Sequence, residues 1–348
     1  MRAEELRDLA AALLCAAGMG TEKAAAVAEV LIEADRMGHD THGVALLPRH
    51  LDEIASGSMT LEGEPEVIAD RGATVAWGGR RLPGPWPVPR ALDLAMERAP
   101  RFGMVGTAIG NGHHMGGLAA YLERVTARGL VVTMASSAPG VASVAPFGGT
   151  RGALSPAPFA AGFPTGGDPV LIDISASVTT NNMAMRLARE GRRYERPWLM
   201  EASGEATDDP TVLQRGRHGA AGRRSRPWPE GLWLGPLRRG DEPGPVGPWA
   251  GDGVKGMVNA IFIQVTDPGA FAGLAAFTLQ TGSIAKNCRA STPRPGGGAM
   301  RLPGEAGLRR RETAMAEGVS LRPETVEALR PWAERLGIPL PSHMVGKV

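Results

Sequence analysis

Five of the seven histidines in this 348-residue chain fall in two patches, His39, His42 and His50 in one and His113 and His114 in the other. A lone histidine is usually an ordinary surface or helix-end residue, but these lie beside glycines and acids. The run Asp40-Thr41-His42-Gly43 sets a carboxylate and a hydroxyl next to an imidazole, and its glycine lets a ligand approach the backbone closely. An imidazole titrates near neutrality, so His42 is the first candidate for a general acid/base. Arg49 lies about two turns further on if a helix continues. Its guanidinium could there take a carboxylate in a bidentate pair, although the same spacing fits a solvated helix residue.

The second patch lies in Gly110-Asn-Gly-His-His-Met-Gly-Gly117, between an expected strand and an expected helix, the context of a dinucleotide-binding turn. The glycine spacing is wrong, because Met115 occupies the place of the third glycine. A dinucleotide bound by this chain therefore needs an architecture other than the Rossmann one. His42, His113, His114 and Asp40 carry donor atoms for a metal. Adjacent histidines on a strand point to opposite faces, however, and no metal site is expected.

These residues need elements to hold them. Leu6, Leu9, Leu13 and Leu14, then Ala26, Val27, Val30 and Leu31, recur at helical spacing around a Gly18-Met-Gly20-Thr21 break, which predicts a helical hairpin over Ala3 to Arg36 with Thr21 as the second N-cap. Leu46 to Ile54 reads as a further helix closed by Gly57. Val67 to Trp77 reads as strand, Val88 to Glu97 as helix and Met104 to Ile109 as strand. Leu118 to Arg128 is an amphipathic helix stopped by Gly129, Leu130 to Met134 and Val170 to Ile174 are buried strands, and Val258 to Val265 is a central one. Pro323 to Leu336 gives a last helix. Alternating strands and helices make the fold class α/β.

Composition removes other classes. With 38 Lys+Arg against 36 Asp+Glu and no long basic run, the chain lacks the footprint of a nucleic-acid binder. Cys15 and Cys288 stand alone and far apart, which argues against a disulfide framework or a thiolate zinc site and points to a reducing cytoplasm. The first residues are charged rather than apolar, and no run of 18 apolar residues occurs, so neither signal peptide nor membrane span is expected.

Six stretches occur in one order: Asp40-Thr-His-Gly-Val44, Asn111-Gly-His-His-Met-Gly116, Val144-Ala-Pro-Phe-Gly-Gly149, Gly162-Phe-Pro-Thr165, Leu171-Ile-Asp-Ile-Ser-Ala-Ser177 and Arg301-Leu-Pro-Gly-Glu305. In them the chain resembles the type-2 malate/L-lactate dehydrogenase family, over about residues 1–213 and 254–340. The resemblance implies a non-Rossmann mixed β-sheet flanked by helices, an N-terminal helical subdomain packed with the C-terminal helix, and a homodimer. It implies an oxidoreductase using NAD or NADP on a small 2-oxo or 2-hydroxy acid. His42 with Thr41 and His114 would be the catalytic group and Arg49 the carboxylate anchor. Ile172, Asp173, Ile174, Ser175, Ala176, Ser177 and Val178, with Pro303, Gly304 and Glu305, would lie against the cofactor. By the same resemblance residues 1–60 with 305–348 form the helical subdomain, 61–110 with 255–304 a substrate and dimerisation domain, and 111–254 the cofactor domain.

The chain departs from the family in several places. Thr41 stands where Ser is usual and keeps the hydroxyl, whereas Gly112 stands where Ser is common and loses one. Ala157 replaces an Asn beside the cofactor, a buried amide whose loss costs about 1–3 kcal/mol if its partners are left unpaired. The largest departure is Arg215 to Trp249, whose 35 residues hold seven Arg, eight Gly, six Pro and three Trp. Tryptophan has a single codon, and reading Pro227 to Trp233 one nucleotide later permits His-Gly-Gln-Lys-Gly-Tyr, close to the family's cofactor motif. The segment is therefore expected to be frameshifted, with the frame restored between Ala250 and Val254. Translated as written, it would lack that motif, and a catalytically impaired homologue keeping the dimer scaffold is the alternative. Resequencing the DNA across codons 210 to 260 tests this: the frame one nucleotide on should encode Lys-Gly-Tyr-Gly, and its absence would make the insertion genuine.

Overall fold

Two antiparallel helices open the chain, α1 (Ala3–Ala16) and α2 (Thr21–Arg36), reversing at Gly18 with φ +104°. The computed structural model describes residues 1–138, 140–175, 177–214, 220–221, 257–295 and 300–345. Leu6, Leu13 and Leu14 of α1 and Val27, Leu31 and Ile32 of α2 are fully buried, as the helical period requires. Thr21 is not the cap. Gly20 takes the extended cap conformation and its carbonyl receives the Ala24 N–H, so Thr21 is already the first helical residue and its hydroxyl makes no cap bond. After α3 (Leu47–Ala55) the stretch expected as one strand forms a hairpin, β1 (Glu66–Asp70) and β2 (Thr74–Gly78). The Asp70 carboxylate accepts the Gly72 N–H at the tip, where φ is +77°.

Helix α4 (Pro87–Phe102) crosses over to β3 (Met104–Gly112), which lies parallel to β2. Then come α5 (Ala119–Thr126), β4 (Val131–Ser137), β5 (Pro158–Phe163), β6 (Val170–Ser175) and α6 (Asn181–Arg189). Three short strands, β7 (Leu199–Met200), β8 (Ala206–Thr207) and β9 (Ala220–Ala221), make a separate small sheet in the order β8-β7-β9. Apart from the backbone of 220–221, the segment 215–249 lies outside the described residues. Strand β10 (Asn259–Thr266) then enters the main sheet, whose order is β1-β2-β3-β10-β4-β5-β6. Every pairing except β2–β3 is antiparallel, so the sheet is mixed and not of the Rossmann kind.

The expectation that Val258 to Val265 forms a central strand holds. Ile261, Ile263 and Val265 are buried, with β3 on one side and β4 on the other. They share a core with Val88, Leu92 and Met96 of α4 and Leu122 and Val125 of α5. The last long helices are α7 (Leu274–Arg289), α8 (Glu305–Glu317) and α9 (Pro323–Leu336), followed by a single helical turn at Ser342–Val345. Leu329 and Ala333 of α9 join a second core with α1, α2 and α3, and reciprocal backbone bonds between Met1 and Val319 close that unit. The N-terminal helices thus pack with the C-terminal one. No helix among the described residues is long and apolar enough to cross a membrane.

Leu31 lies at the centre of the helical core. Truncating it leaves a cavity that rigid helices fill poorly, so Leu31→Ala should lower unfolding free energy by about 2–5 kcal/mol, read from the urea midpoint at unchanged slope.

Candidate functional site

The loop after α2 carries His39 and His42 of the first patch, with His50 following on α3, and a half-buried carboxylate holds the loop. Asp35, one residue before the end of α2, accepts the Val44 N–H at 2.7 Å. A Cβ at position 43 would lie 2.1 Å from Asp35 Oδ1, so the loop can close over the helix end only with Gly43 there. Burial pushes the Asp35 carboxyl up to about 7, against the Val44 N–H, which favours the charged form. Within the loop the His42 N–H reaches the His39 carbonyl, and Thr41 Oγ1 lies 2.9 Å from His42 Nδ1. Asn182 Nδ2 of α6 donates to the Thr41 carbonyl at 3.1 Å. Asp40 receives Arg186 Nη1 of α6 at 3.0 Å and Arg322 Nε, just ahead of α9, at 2.6 Å.

The second patch forms the facing wall. β3 ends at Asn111, at φ +50°, and Gly112, and the chain then docks beside Leu82 to Gly84: the His113 N–H donates to the Leu82 carbonyl and the Gly84 N–H to the His114 carbonyl. His114 Nδ1 accepts the Gly116 N–H at 3.0 Å, so the neutral ring carries its proton on Nε2. The His42 and His114 rings lie 5.8 Å apart, His114 and His50 6.4 Å, and His50 and His113 5.9 Å. His113 Nε2 stands 3.2 Å from Glu53 Oε2, and Arg49 Nε 3.6 Å from Glu53 Oε1. The two sequence patches are therefore one cluster.

Burial keeps these imidazoles neutral. It lowers His42 to about 4, reinforced by His39 and opposed by Asp40, and lowers His50 to about 3. His114 falls well below the usual histidine value through burial, with His42, His50 and Arg49 adding to it. His113 falls less, because Glu53 partly offsets its burial. A neutral His42 whose Nδ1–H donates to Thr41 has its lone pair on Nε2 and can accept a proton there. Arg49, on α3, lies close enough to act on His50, His113 and His114, and its own ion-pair partner is Glu53.

The segment expected against a cofactor is mostly turned inward. Asp173 Oδ2 accepts the Ala119 N–H at 2.8 Å at the start of α5, and burial raises its carboxyl while His39 lowers it. Ser175 Oγ bonds the Pro156 carbonyl and Ser177 Oγ, and Ser177 Oγ also reaches the Thr179 carbonyl. Ile172 is half-buried on β6, Ala176 lies outside the described residues, and Ile174 and Val178 stay exposed. Pro303 runs beside β6, its carbonyl taking the Leu171 N–H. Gly304 has φ +91°, and a Cβ there would lie 2.7 Å from Leu171 Cβ and 2.9 Å from the Leu171 backbone N and O. Glu305 accepts the Leu302 N–H and Arg289 Nε, which together hold its carboxyl below the usual range. Asn181 Oδ1, in the first turn of α6, is buried and has no hydrogen-bond partner among the described residues. Exposed apolar side chains and an unused amide acceptor are the kinds of group that a flat ring carrying a carboxamide calls for. Ala157 has φ +42°, a conformation that Asn tolerates better than Ala.

Sequence reasoning missed Asp35, Asn182, Arg186 and Arg322. No local motif marks them, since each reaches the loop from another element. Among the described residues no group of three His, Cys, Asp or Glu is placed to hold a metal.

A family model for malate/L-lactate dehydrogenase matches residues 1–330. The (2R)-3-sulfolactate dehydrogenase (NADP(+)) of Chromohalobacter salexigens is 32% identical over 219 residues, 63% of this chain and 65% of that protein. Hydroxycarboxylate dehydrogenase B of Escherichia coli O157:H7 is 28% identical over 213 residues, 61% of this chain and 59% of its own length. The chain thus spans less than two thirds of these two relatives. The L-lactate dehydrogenase of Cupriavidus necator is 26% identical over 347 residues, 97% of both chains. Among solved structures, malate dehydrogenase from Entamoeba histolytica superposes with TM-score 0.86 at 19% identity, covering 98% of this chain and 99% of its own, a likeness of fold. A dehydrogenase from Sinorhizobium meliloti gives TM-score 0.82 at 26% identity, over 95% and 97% of the two chains.

Buried neutral histidines carry an acid liability. The folded value of His50, about 3, lies below its ordinary value of 6.5, so below pH 6.5 the unfolded chain takes the proton first and stability falls until about pH 3. At pH 5 this one group costs about 2 kcal/mol. His50→Leu should therefore shrink the loss of denaturant midpoint between pH 7.5 and pH 5, and an unchanged loss would mean that His50 is not held neutral.

Proposed function

We propose that this chain, which belongs to the malate/L-lactate dehydrogenase family, is an NAD- or NADP-dependent oxidoreductase acting between a 2-hydroxy acid and the corresponding 2-oxo acid. The observation that carries this is the half-buried His42, with Thr41 at its Nδ1 and the His114 ring 5.8 Å from its own. A nicotinamide dinucleotide bound along Ile172–Val178 and Pro303-Gly304-Glu305 would supply the hydride acceptor or donor. His42 does the proton work: neutral in the empty site, its Nε2 takes the hydroxyl proton as the alcohol becomes a ketone, while Nδ1–H stays on Thr41. In the opposite direction the substrate carboxylate favours the imidazolium, which returns the proton to the oxygen. His114, with its proton fixed on Nε2, is a donor and can polarise the 2-oxo oxygen. Arg49 is the proposed carboxylate anchor, leaving Glu53 for the substrate.

Relatives named as dehydrogenases favour an active enzyme over an impaired homologue. Residues 111–254 are the proposed cofactor domain, and 61–110 with 255–304 the substrate and dimerisation domain. A homodimer is supported by α7, which exposes Leu279 and Ile284 and follows an exposed Phe271. A cytoplasmic location is supported by free Cys15 and Cys288.

A panel of 2-oxo acids with NADH and NADPH, read by reduced-nicotinamide absorbance, tests the activity. His42→Asn should lower kcat by about 10²- to 10⁴-fold at unchanged cofactor affinity. Retention of kcat would remove His42 from the proton step, and no turnover with any pair would refute the function.

A further inference from the structure

We propose that Arg186 and Arg322 act as positioning residues for His42 by holding the Asp40 carboxylate off it, so that the imidazole stays neutral until substrate arrives. Asp40 lies two residues from His42 on the same loop. Both guanidiniums reach the same oxygen, Asp40 Oδ2, from elements remote in sequence: Arg186 Nη1 at 3.0 Å from α6 and Arg322 Nε at 2.6 Å from the residue preceding α9. Arg186 is braced in turn by Glu190 at 3.8 Å, with Arg192 on the far side of that carboxylate.

Three features favour a tuning role over a merely structural one. Asp40 and Arg322 are about two-fifths exposed, where an ion pair contributes little to stability. The pair also occupies an acidic group, Asp40, whose charge acts directly to raise His42, against burial and His39, which lower it. Finally, α6 bonds the loop twice, through Asn182 to the Thr41 carbonyl and through Arg186 to Asp40, so both sides of the residue preceding His42 are fixed from one helix. Among the described residues, other charged and titratable groups also lie around His42. His114 faces it from the second wall, and Arg49 and His50 of α3 act on His114. Asp35 of α2 is tied to Val44, and Asp173 of β6 faces His39. Freed of its arginines, Asp40 can turn towards His42 and stabilise the imidazolium, as a nearby carboxylate does. That would spoil His42 as a proton acceptor at neutral pH.

The proposal rests on reading His42 as the acid/base, but its test uses the empty protein, so it stands or falls whether or not dehydrogenase activity is found. The His42 Cε1–H resonance, assigned by its loss in His42→Asn, is titrated by NMR in the parent and in variants of similar thermal midpoint. Arg186→Met and Arg322→Met should each raise the His42 midpoint by about 0.5 unit or more. Asp40→Asn should lower it, Arg186→Lys should keep it near the parent value, and Arg186→Met should add little in the Asp40→Asn background, because the arginine acts through that carboxylate. No rise in either methionine variant, or an equal rise with and without Asp40, would overturn the proposal. Should Arg186→Met fail to fold, the more exposed Arg322→Met carries the same comparison.

Discussion

The site depends on a single half-buried carboxylate. Asp35 sits on the last turn of α2, half-buried at the edge of the helical core, and a carboxyl group taken out of water there is costly unless a donor meets it. The Val44 N–H is that donor, and Gly43 is the residue that lets the backbone come close enough. The bond pins the loop's far end to a helix whose Leu31 and Ile32 are immobilised by packing, so the position of His42 is inherited from the core and not from the loop itself. Asn182 and the two arginines refine a placement that Asp35 has already made.

Gathering four imidazoles in one cluster has a physical logic. Each is kept neutral by its surroundings, and each neutral ring offers one donor and one acceptor nitrogen. His114 shows how the choice between them is made: the Gly116 N–H claims Nδ1 and leaves a donor on the other side. Thr41 meets His42 at the same ring atom, but a hydroxyl can either donate or accept there, so that ring is free to change state. One rigid donor and one titrating partner make a suitable pair for a reaction in which only one proton moves.

Much of this was legible in the sequence, because the signals were local. The α1–α2 hairpin follows from Leu6, Leu13, Val27 and Leu31 at helical spacing, β10 from an uninterrupted apolar run, and His42 and His114 from their clustering beside glycines. What escaped has a common cause. Arg186 and Arg322 lie 146 and 282 residues from Asp40, and no periodicity links them. The hairpin β1–β2 was hidden because Arg71-Gly72-Ala73 is too brief an interruption to break a strand pattern. The Leu171 to Ser177 motif marked a segment correctly as structured, yet it could not reveal that Asp173, Ser175 and Ser177 satisfy their polar atoms within the protein.

Strand β10 also bears on how the chain comes to fold. It lies between β3 and β4, yet it follows β4 by more than 120 residues, so during synthesis both neighbours wait with unpaired edges. The α1–α2 hairpin can assemble early from local contacts, whereas the central sheet cannot close until β10, ending at Thr266 of 348 residues, has emerged. Aggregation during synthesis is therefore a hazard concentrated on β3 and β4, and the integrity of the message upstream of Val258 matters more than the length of any loop there. A ribosome that left the frame and did not return to it before that codon would produce two half-sheets with nothing to join them.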